Sequence, residues 1–165
     1  MIIFGIVGWK NTGKTTLTER LVTTFTQRGL VVSTIKHTHH DVDIDVPGTD
    51  SYRHRAAGAH EVLLASGPRW ALMHESSADA EPSLEALLDR LAPVDLVLVE
   101  GYKYGRHPRL EVYRAGTIQP PIGREDRSVL ALVTDAVVDD WDRPRFDLDA
   151  IDAIADFIHH TVRLP

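Results

Sequence analysis

The sequence predicts an α/β fold: a mostly parallel β-sheet with helices on both faces, plus one antiparallel hairpin. Three observations lead there. Short apolar runs rich in β-branched residues alternate with segments of helical period. These runs lack polar alternation, as expected of strands buried on both faces. Two further apolar runs are joined by a turn containing Ser66-Gly67-Pro68, a hairpin signature. The 165 residues suffice for one domain, which at that size buries roughly 70% of its unfolded surface. The whole of 1–165 therefore reads as a single domain.

Residues 2–7 form a β-branched run bounded by Gly8 and read as a buried strand. From Lys14 the period is helical, with Leu17, Leu21 and Phe25 on one face and Gly29 as the stop. Residues 30–36 read as a second strand. A polar segment, 37–50, contains the breaker Pro47-Gly48, and Asp50 or Ser51 is positioned to cap a helix through Ala59. The hairpin strands are 61–65 and 70–75. Ser83, after Pro82, caps a helix with Leu84, Leu87, Leu88 and Leu91 on one face. Residues 95–100, DLVLVE, are the clearest buried strand. Strands are also expected at 110–113 and 129–133, with a loop at 115–127 between them. The hairpin and the 110–113 strand are expected to make the sheet mixed. The last helix starts near Asp149, with Ile151, Ile154, Ile158 and Val162 in period.

Composition narrows the function. Hydrophobic residues are 43% and charged residues 25% of the chain, an ordinary globular mix. There is no cysteine, which excludes disulfides, iron–sulfur sites, Cys-ligated zinc and thiol nucleophiles. Apolar runs are too short to span a membrane. With no signal-like N-terminus, the protein reads as cytoplasmic. A net charge of −6 argues against a general nucleic-acid binder. Yet residues 1–40 carry five basic side chains (Lys10, Lys14, Arg20, Arg28, Lys36) and one acid, Glu19. That imbalance points to a local anion site, although chance clustering explains it equally well.

The segment Gly8-Trp9-Lys10-Asn11-Thr12-Gly13-Lys14-Thr15 matches G-x-x-x-x-G-K-[ST] at every fixed position. It lies between a strand and a helix, the arrangement a phosphate-binding loop needs. Gly8 and Gly13 permit turns that aim backbone N–H groups at phosphate oxygens, and the helix adds its positive end. Lys14 is the charge for the β- and γ-phosphates, and the Thr15 hydroxyl is a magnesium ligand. The fold is thus P-loop NTPase-like. Ligands in such sheets lie at the carboxyl ends of strands. Glu100 ends its strand, whereas Asp95 starts it about 17 Å away. Glu100 is the better candidate for Mg2+, directly or through water, although Asp is the usual residue there. One class of phosphate loop uses an extra lysine, directly after the first glycine, across a dimer; here Trp9 stands there and Lys10 is one place off, so Lys10 is a candidate phosphate contact only.

Beyond the second strand comes Lys36-His37-Thr38-His39-His40-Asp41-Val42-Asp43-Ile44-Asp45. In an extended chain, His37, His39, Asp41, Asp43 and Asp45 project to one side. Three readings stay open: a switch segment sensing the terminal phosphate and magnesium, a divalent metal site, or a solvated polar edge.

Taken together, GWKNTGKTT, IKHTHHDVDIDVPGTDS, AAGA, RWALMHE and DLVLVEGYK resemble, in family order, the molybdopterin-guanine dinucleotide biosynthesis adaptor family, MobB. The likeness spans Gly8 to Lys103, with looser support from LEVYR and ALVTD. It implies a GTP-binding protein with weak GTPase activity that uses Mg2+, forms a homodimer and assists the molybdenum cofactor guanylyltransferase, with molybdopterin as a candidate ligand. The nucleotide contacts expected from the motif run along Gly8–Thr16 (Trp9, Lys10, Asn11, Thr12, Gly13, Lys14, Thr15 and Thr16 included), and the switch reading of the following segment adds His37, His39 and Asp41.

In this light Asp135, after the ALVT strand, is a candidate guanine reader, because a carboxylate accepts both guanine N1–H and N2–H₂. A full N-K-x-D motif is absent. Lys103, Arg106, Arg109 and Arg114 are candidates to face a phosphorylated pterin or the partner enzyme, or simply solvent. Trp70 reads as packing or a dimer contact on an open hairpin edge. Two other functions compete: a nickel-insertion-type metallochaperone GTPase, disfavoured by the missing cysteine, and an ATP-dependent small-molecule kinase, for which no lid motif is evident.

Overall fold

The computed structural model describes residues 1–38, 44–76, 81–103 and 105–165. Its contacts form two compact units, Met1–His37 with Leu91–Pro165, and Thr38–Arg90.

In the first unit, β1 (Ile2–Val7), β2 (Val32–Lys36), β5 (Leu96–Glu100), β6 (Arg109–Tyr113), β7 (Val129–Thr134) and β8 (Arg145–Phe146) form one sheet in the order β2-β5-β1-β6-β7-β8. Every pairing in it is parallel. The expectation of a mixed sheet is corrected here, because β6 runs parallel to both neighbours. The antiparallel hairpin is a separate sheet.

α1 (Lys14–Gln27) and α4 (Ile151–Val162) pack on one face of this sheet. Leu17, Leu21 and Phe25 from α1 and Ile154, Ala155 and Ile158 from α4 meet Phe4, Ile6, Leu96, Leu98, Leu110, Val112, Ala131 and Val133. At the β7 end the other face is covered by the 3-10 turn Ile122–Arg124 and by Trp141, around Val7, Val129 and Leu132. Arg20 and Arg28 are paired with Asp149, Asp152 and Asp156, at 2.6–3.3 Å. Two of the five basic residues of the N-terminal stretch therefore tie α1 to the α4 region rather than serving an anion.

β1 lies between β5 and β6, and β1 is followed through α1 by β2 on the far side of β5. The chain leaves β1 in one direction and returns to its opposite side later. This makes the carboxyl end of β1, beside β5, the crevice where a ligand is expected. Register places Ile6 and Lys36 on either side of Glu100.

In the second unit, β3 (Glu61–Ser66) and β4 (Arg69–His74) form the expected hairpin, paired from Glu61↔His74 to Ser66↔Arg69. α2 spans Asp50–Ala56 and α3 spans Leu84–Leu88. The α2 cap is Thr49, whose hydroxyl accepts from the Tyr52 N–H, rather than Asp50 or Ser51. Ser83 caps α3 as expected, but the helix ends before Leu91.

Candidate functional site

The loop after β1 is shaped before any ligand enters. Gly8 has φ +147°, and a Cβ there would lie 2.4 Å from the Val112 carbonyl oxygen and 2.9 Å from Thr12 Oγ1. Only glycine fits. Asn11 and Gly13 also have positive φ, 62° and 96°. The buried Thr12 hydroxyl donates to the Trp9 carbonyl at 3.0 Å, closing the loop on itself. α1 starts with Gly13 as its cap, has no side chain bonded to its first N–H groups and carries no acid in its first turn. A long helix whose N-terminus is left in this state favours an anion.

Lys14 lies beside that turn, its Nζ donating to the Trp9 carbonyl at 2.6 Å. Burial pushes its pKa below the usual lysine value. Glu100 opposes the shift, and the positive charges of Lys103 and Lys36 add to it. Among the described residues Lys14, Lys36 and Lys103 gather near Glu100, a concentration of positive charge at the strand end. An anionic phosphate would offset it.

The Thr15 hydroxyl donates to Glu100 Oε1 at 2.8 Å. Glu100 has only 9% of its side chain exposed, and β5 holds it level with Lys36 of β2. A hydroxyl and a carboxylate oxygen side by side, next to a phosphate cradle, are the hard donors magnesium takes while keeping its waters. Gly8, Gly13, Lys14, Thr15 and Glu100 thus fit a magnesium–nucleotide by their donor chemistry.

The strand-end turn that carries Glu100 is itself constrained. Gly101 has φ +101°, a conformation that favours glycine, and a Cβ there would sit 3.0 Å from His37 Cβ, tighter than an ordinary contact. The His37 N–H donates to the Glu100 carbonyl at 2.9 Å. Its ring lies 4.5 Å, centroid to centroid, from that of Tyr102, which has φ +45°. Arg109, 1% exposed, donates to the Tyr102 carbonyl at 2.8 Å and pairs with Asp126. The turn then brings the Lys103 ammonium 4.2 Å from the centre of the Trp9 ring. Trp9 Nε1 donates to the Pro120 carbonyl at 2.9 Å, joining the phosphate loop to the 115–127 segment.

The expected site residues fall into three groups. Gly8, Trp9, Lys10, Asn11, Thr12, Gly13, Lys14, Thr15 and Thr16 form the loop and first helical turn, with Lys10 and Asn11 exposed. Glu100 and His37 join them through the contacts above. Asp135 accepts from the Ala115 N–H at 2.7 Å and from Arg114 at 3.1 Å. The Ala115 amide, partly offset by burial and aided by Arg114, holds its carboxyl below the usual range. His39 and Asp41 lie outside the described residues, as does Asp43. Asp45 belongs to the second unit, where it accepts from the Ser51 hydroxyl at 2.8 Å and faces Arg55 at 3.6 Å.

Sequence reasoning missed three things. Lys36, which the sequence gives no role at the site, donates to Thr15 Oγ1 at 3.2 Å. Arg109 was read as a candidate surface residue and is buried. Glu111 is fully buried in β6, where both oxygens accept from the Ile122 and Gly123 N–H groups at 2.9 Å. Burial pushes its pKa up, against the lowering effect of those amides. The available signal was the pairing of an arginine and a glutamate, two residues apart, within an otherwise apolar strand.

Residues 3–135 match the family model described as molybdopterin guanine dinucleotide synthesis protein B. The chain is 38% identical over 159 residues to the molybdopterin-guanine dinucleotide biosynthesis adapter protein of Escherichia coli (strain K12), covering 94% of this chain and 90% of that one. It is 38% identical over 160 residues to the protein of the same name from Haemophilus influenzae, covering 96% and 88%. Among solved structures, a molybdopterin-guanine biosynthesis protein B superposes with a TM-score of 0.75 at 28% identity, covering 97% of this chain and 99% of the other. A MobB homologue from Bacillus stearothermophilus gives 0.73 at 25% identity, covering 99% of each.

Proposed function

The chain belongs to the MobB family of molybdopterin guanine dinucleotide synthesis proteins, and on that premise we propose that it is a GTP-binding adaptor with weak GTPase activity. In this reading it assists a guanylyltransferase in forming molybdopterin guanine dinucleotide during molybdenum cofactor biosynthesis, in the cytoplasm. The observation that carries the proposal is the convergence of Lys14, Thr15 and Glu100 on a glycine-shaped loop. The relatives named above are called adapter proteins, which favours this reading over a nickel-insertion GTPase or a small-molecule kinase.

The roles divide as follows. Lys14 and the first N–H groups of α1 hold the β- and γ-phosphates, and Thr15 and Glu100 hold Mg2+. When bound, the metal neutralises phosphate charge. The residues of this chain orient the triphosphate and fix its position relative to the His37 turn. Trp9, through Pro120, and Lys103 keep the loop against its neighbours. Lys103 and Arg106 remain candidates to face molybdopterin or the partner enzyme. The hairpin exposes Leu63, Leu64, Trp70 and Leu72 by 39–68%, an apolar surface suited to the second copy of a homodimer.

Asp135 is proposed to read guanine. Its carboxylate stands at the end of β7, held by the Ala115 N–H and Arg114, and a carboxylate can accept both guanine N1–H and N2–H₂. Asp135→Asn should then narrow the preference for GTP over xanthosine and inosine triphosphates in competition binding. An unchanged ranking removes Asp135 from the base site.

The functional test is made on the partner's reaction. Guanylyl transfer should be faster with this protein, GTP and magnesium present, while its own hydrolysis stays far below the enzyme median of about 10 s⁻¹. His39→Ala with Asp41→Ala should reduce that stimulation more than it reduces GTP affinity, because the segment is proposed to act as a nucleotide-sensitive contact. Equal losses make the segment a nucleotide ligand only. Fast turnover by the chain alone contradicts the adaptor reading.

A further inference from the structure

We propose that Lys36 is a surrogate cation for the magnesium position, holding Thr15 and Glu100 ready while no metal is there and giving way when one arrives. The inference rests on the nucleotide reading above and assigns a role to a residue outside the phosphate-loop motif.

The Lys36 ammonium lies 3.2 Å from Thr15 Oγ1 and 3.6 Å from Glu100 Oε1, the two oxygens assigned to the metal. Its placement is fixed by the sheet, because β2 pairs in parallel with β5 and sets Lys36 opposite Glu100. The next residue, His37, is tied by its N–H to the Glu100 carbonyl. The backbone at this point is therefore held, and the exchange falls to the lysine side chain. That side chain is 58% exposed and has solvent to swing into, whereas the Glu100 carboxylate is nearly buried and stays. Lys14 does not fill the same role, since its ammonium is bonded to the Trp9 carbonyl.

An ammonium and a divalent cation repel strongly at such separations, so they cannot share the same pair of oxygens. Without metal, Lys36 keeps the carboxylate from repelling an incoming triphosphate. With metal, Lys36 is displaced, and its charge no longer adds to affinity at that position. Lys36 should thus matter most where magnesium is absent.

The test is calorimetric titration of GTP into wild-type, Lys36→Gln and Lys36→Arg proteins, each in EDTA and in saturating magnesium. Lys36→Gln should lose about tenfold in affinity in EDTA, at the low end for a charge-assisted contact because the lysine is exposed. It should lose less than about twofold in magnesium, and its GTP complex should saturate at a lower magnesium concentration. Lys36→Arg should retain most of the EDTA affinity. Lys36→Met, which keeps the aliphatic stem, is read as Lys36→Gln if the latter does not fold. Equal losses in both buffers, or no loss in EDTA, overturn the surrogate role while leaving the nucleotide site standing. Failure of the wild-type chain to bind GTP in either buffer overturns the nucleotide reading and this inference together.

Discussion

Lys14→Ala should bind GTP about 10- to 150-fold more weakly than the wild-type chain, the loss of roughly 1.5–3 kcal/mol from one charge-assisted contact. Among the described residues the Lys14 ammonium donates to the Trp9 carbonyl. Its removal should leave the loop in place, because Gly8, Thr12 and Gly13 define the turn. The loss should therefore appear in the titration and not in the melting curve. Lys14→Arg should recover little, since a planar fork does not replace a compact ammonium in a site this close to the backbone. Wild-type affinity in a folded Lys14→Ala protein would remove Lys14 from the phosphate site.

The largest stability effect is expected at Arg109, away from the nucleotide. This arginine is 1% exposed, pairs with Asp126 and donates to the Tyr102 carbonyl. Arg109→Ala takes the guanidinium away from both partners and leaves a cavity where its buried side chain lay, while Asp126 keeps its bonds from Ser128. Breaking a buried pair in this way costs about 3–5 kcal/mol, and the lower end applies because Asp126 keeps some contact with water. Urea unfolding should show the loss. The acid limb should change too. Asp126 titrates below the usual range: partial burial opposes the shift, and bonds from the Ser128 hydroxyl and N–H, with Arg109, outweigh it. A depressed carboxylate contributes stability that is present above its unfolded pKa and lost as pH falls through the folded one. Arg109→Ala should shrink that acid-sensitive contribution without removing it, since both Ser128 bonds remain. Wild-type stability in the variant would mean the pair is energetically silent.

Much of this fold could be read along the chain because its strands are buried on both faces and so lack ambiguity of period. DLVLVE is one such strand, and its only shift is that Asp95 lies outside it, accepting from the Val31 N–H at 2.8 Å. β8 was invisible because two residues, Arg145 and Phe146, carry no pattern. The direction of β6 was misread because a short strand gives no local sign of whether it returns or crosses over. The phosphate loop was legible since its chemistry is contiguous: glycines, lysine and threonine must follow one another for the turn to work. Glu100 was found by the rule that ligands gather at strand ends. Lys36 was not, because its contact with Thr15 depends on the pairing of β2 with β5 and on no spacing along the chain. Arg109 and Glu111 were hidden for a related reason. Charged residues in a strand ordinarily signal a solvated face, and here the partners that allow burial, Asp126 and the 122–123 amides, lie more than ten residues away.

The central claim is that Thr15 and Glu100 form the metal-holding half of a site whose other half is the phosphate loop. Glu100→Gln tests it most directly, because the amide oxygen can still accept from Thr15 while the negative charge is gone. GTP affinity should be measured with magnesium and with EDTA on the same preparation. Magnesium should no longer strengthen GTP binding in the variant, while the magnesium-free affinity stays close to wild type. A variant that keeps the full magnesium enhancement would place the metal elsewhere, and one that loses affinity equally in both buffers would make Glu100 a structural residue of the β5 end.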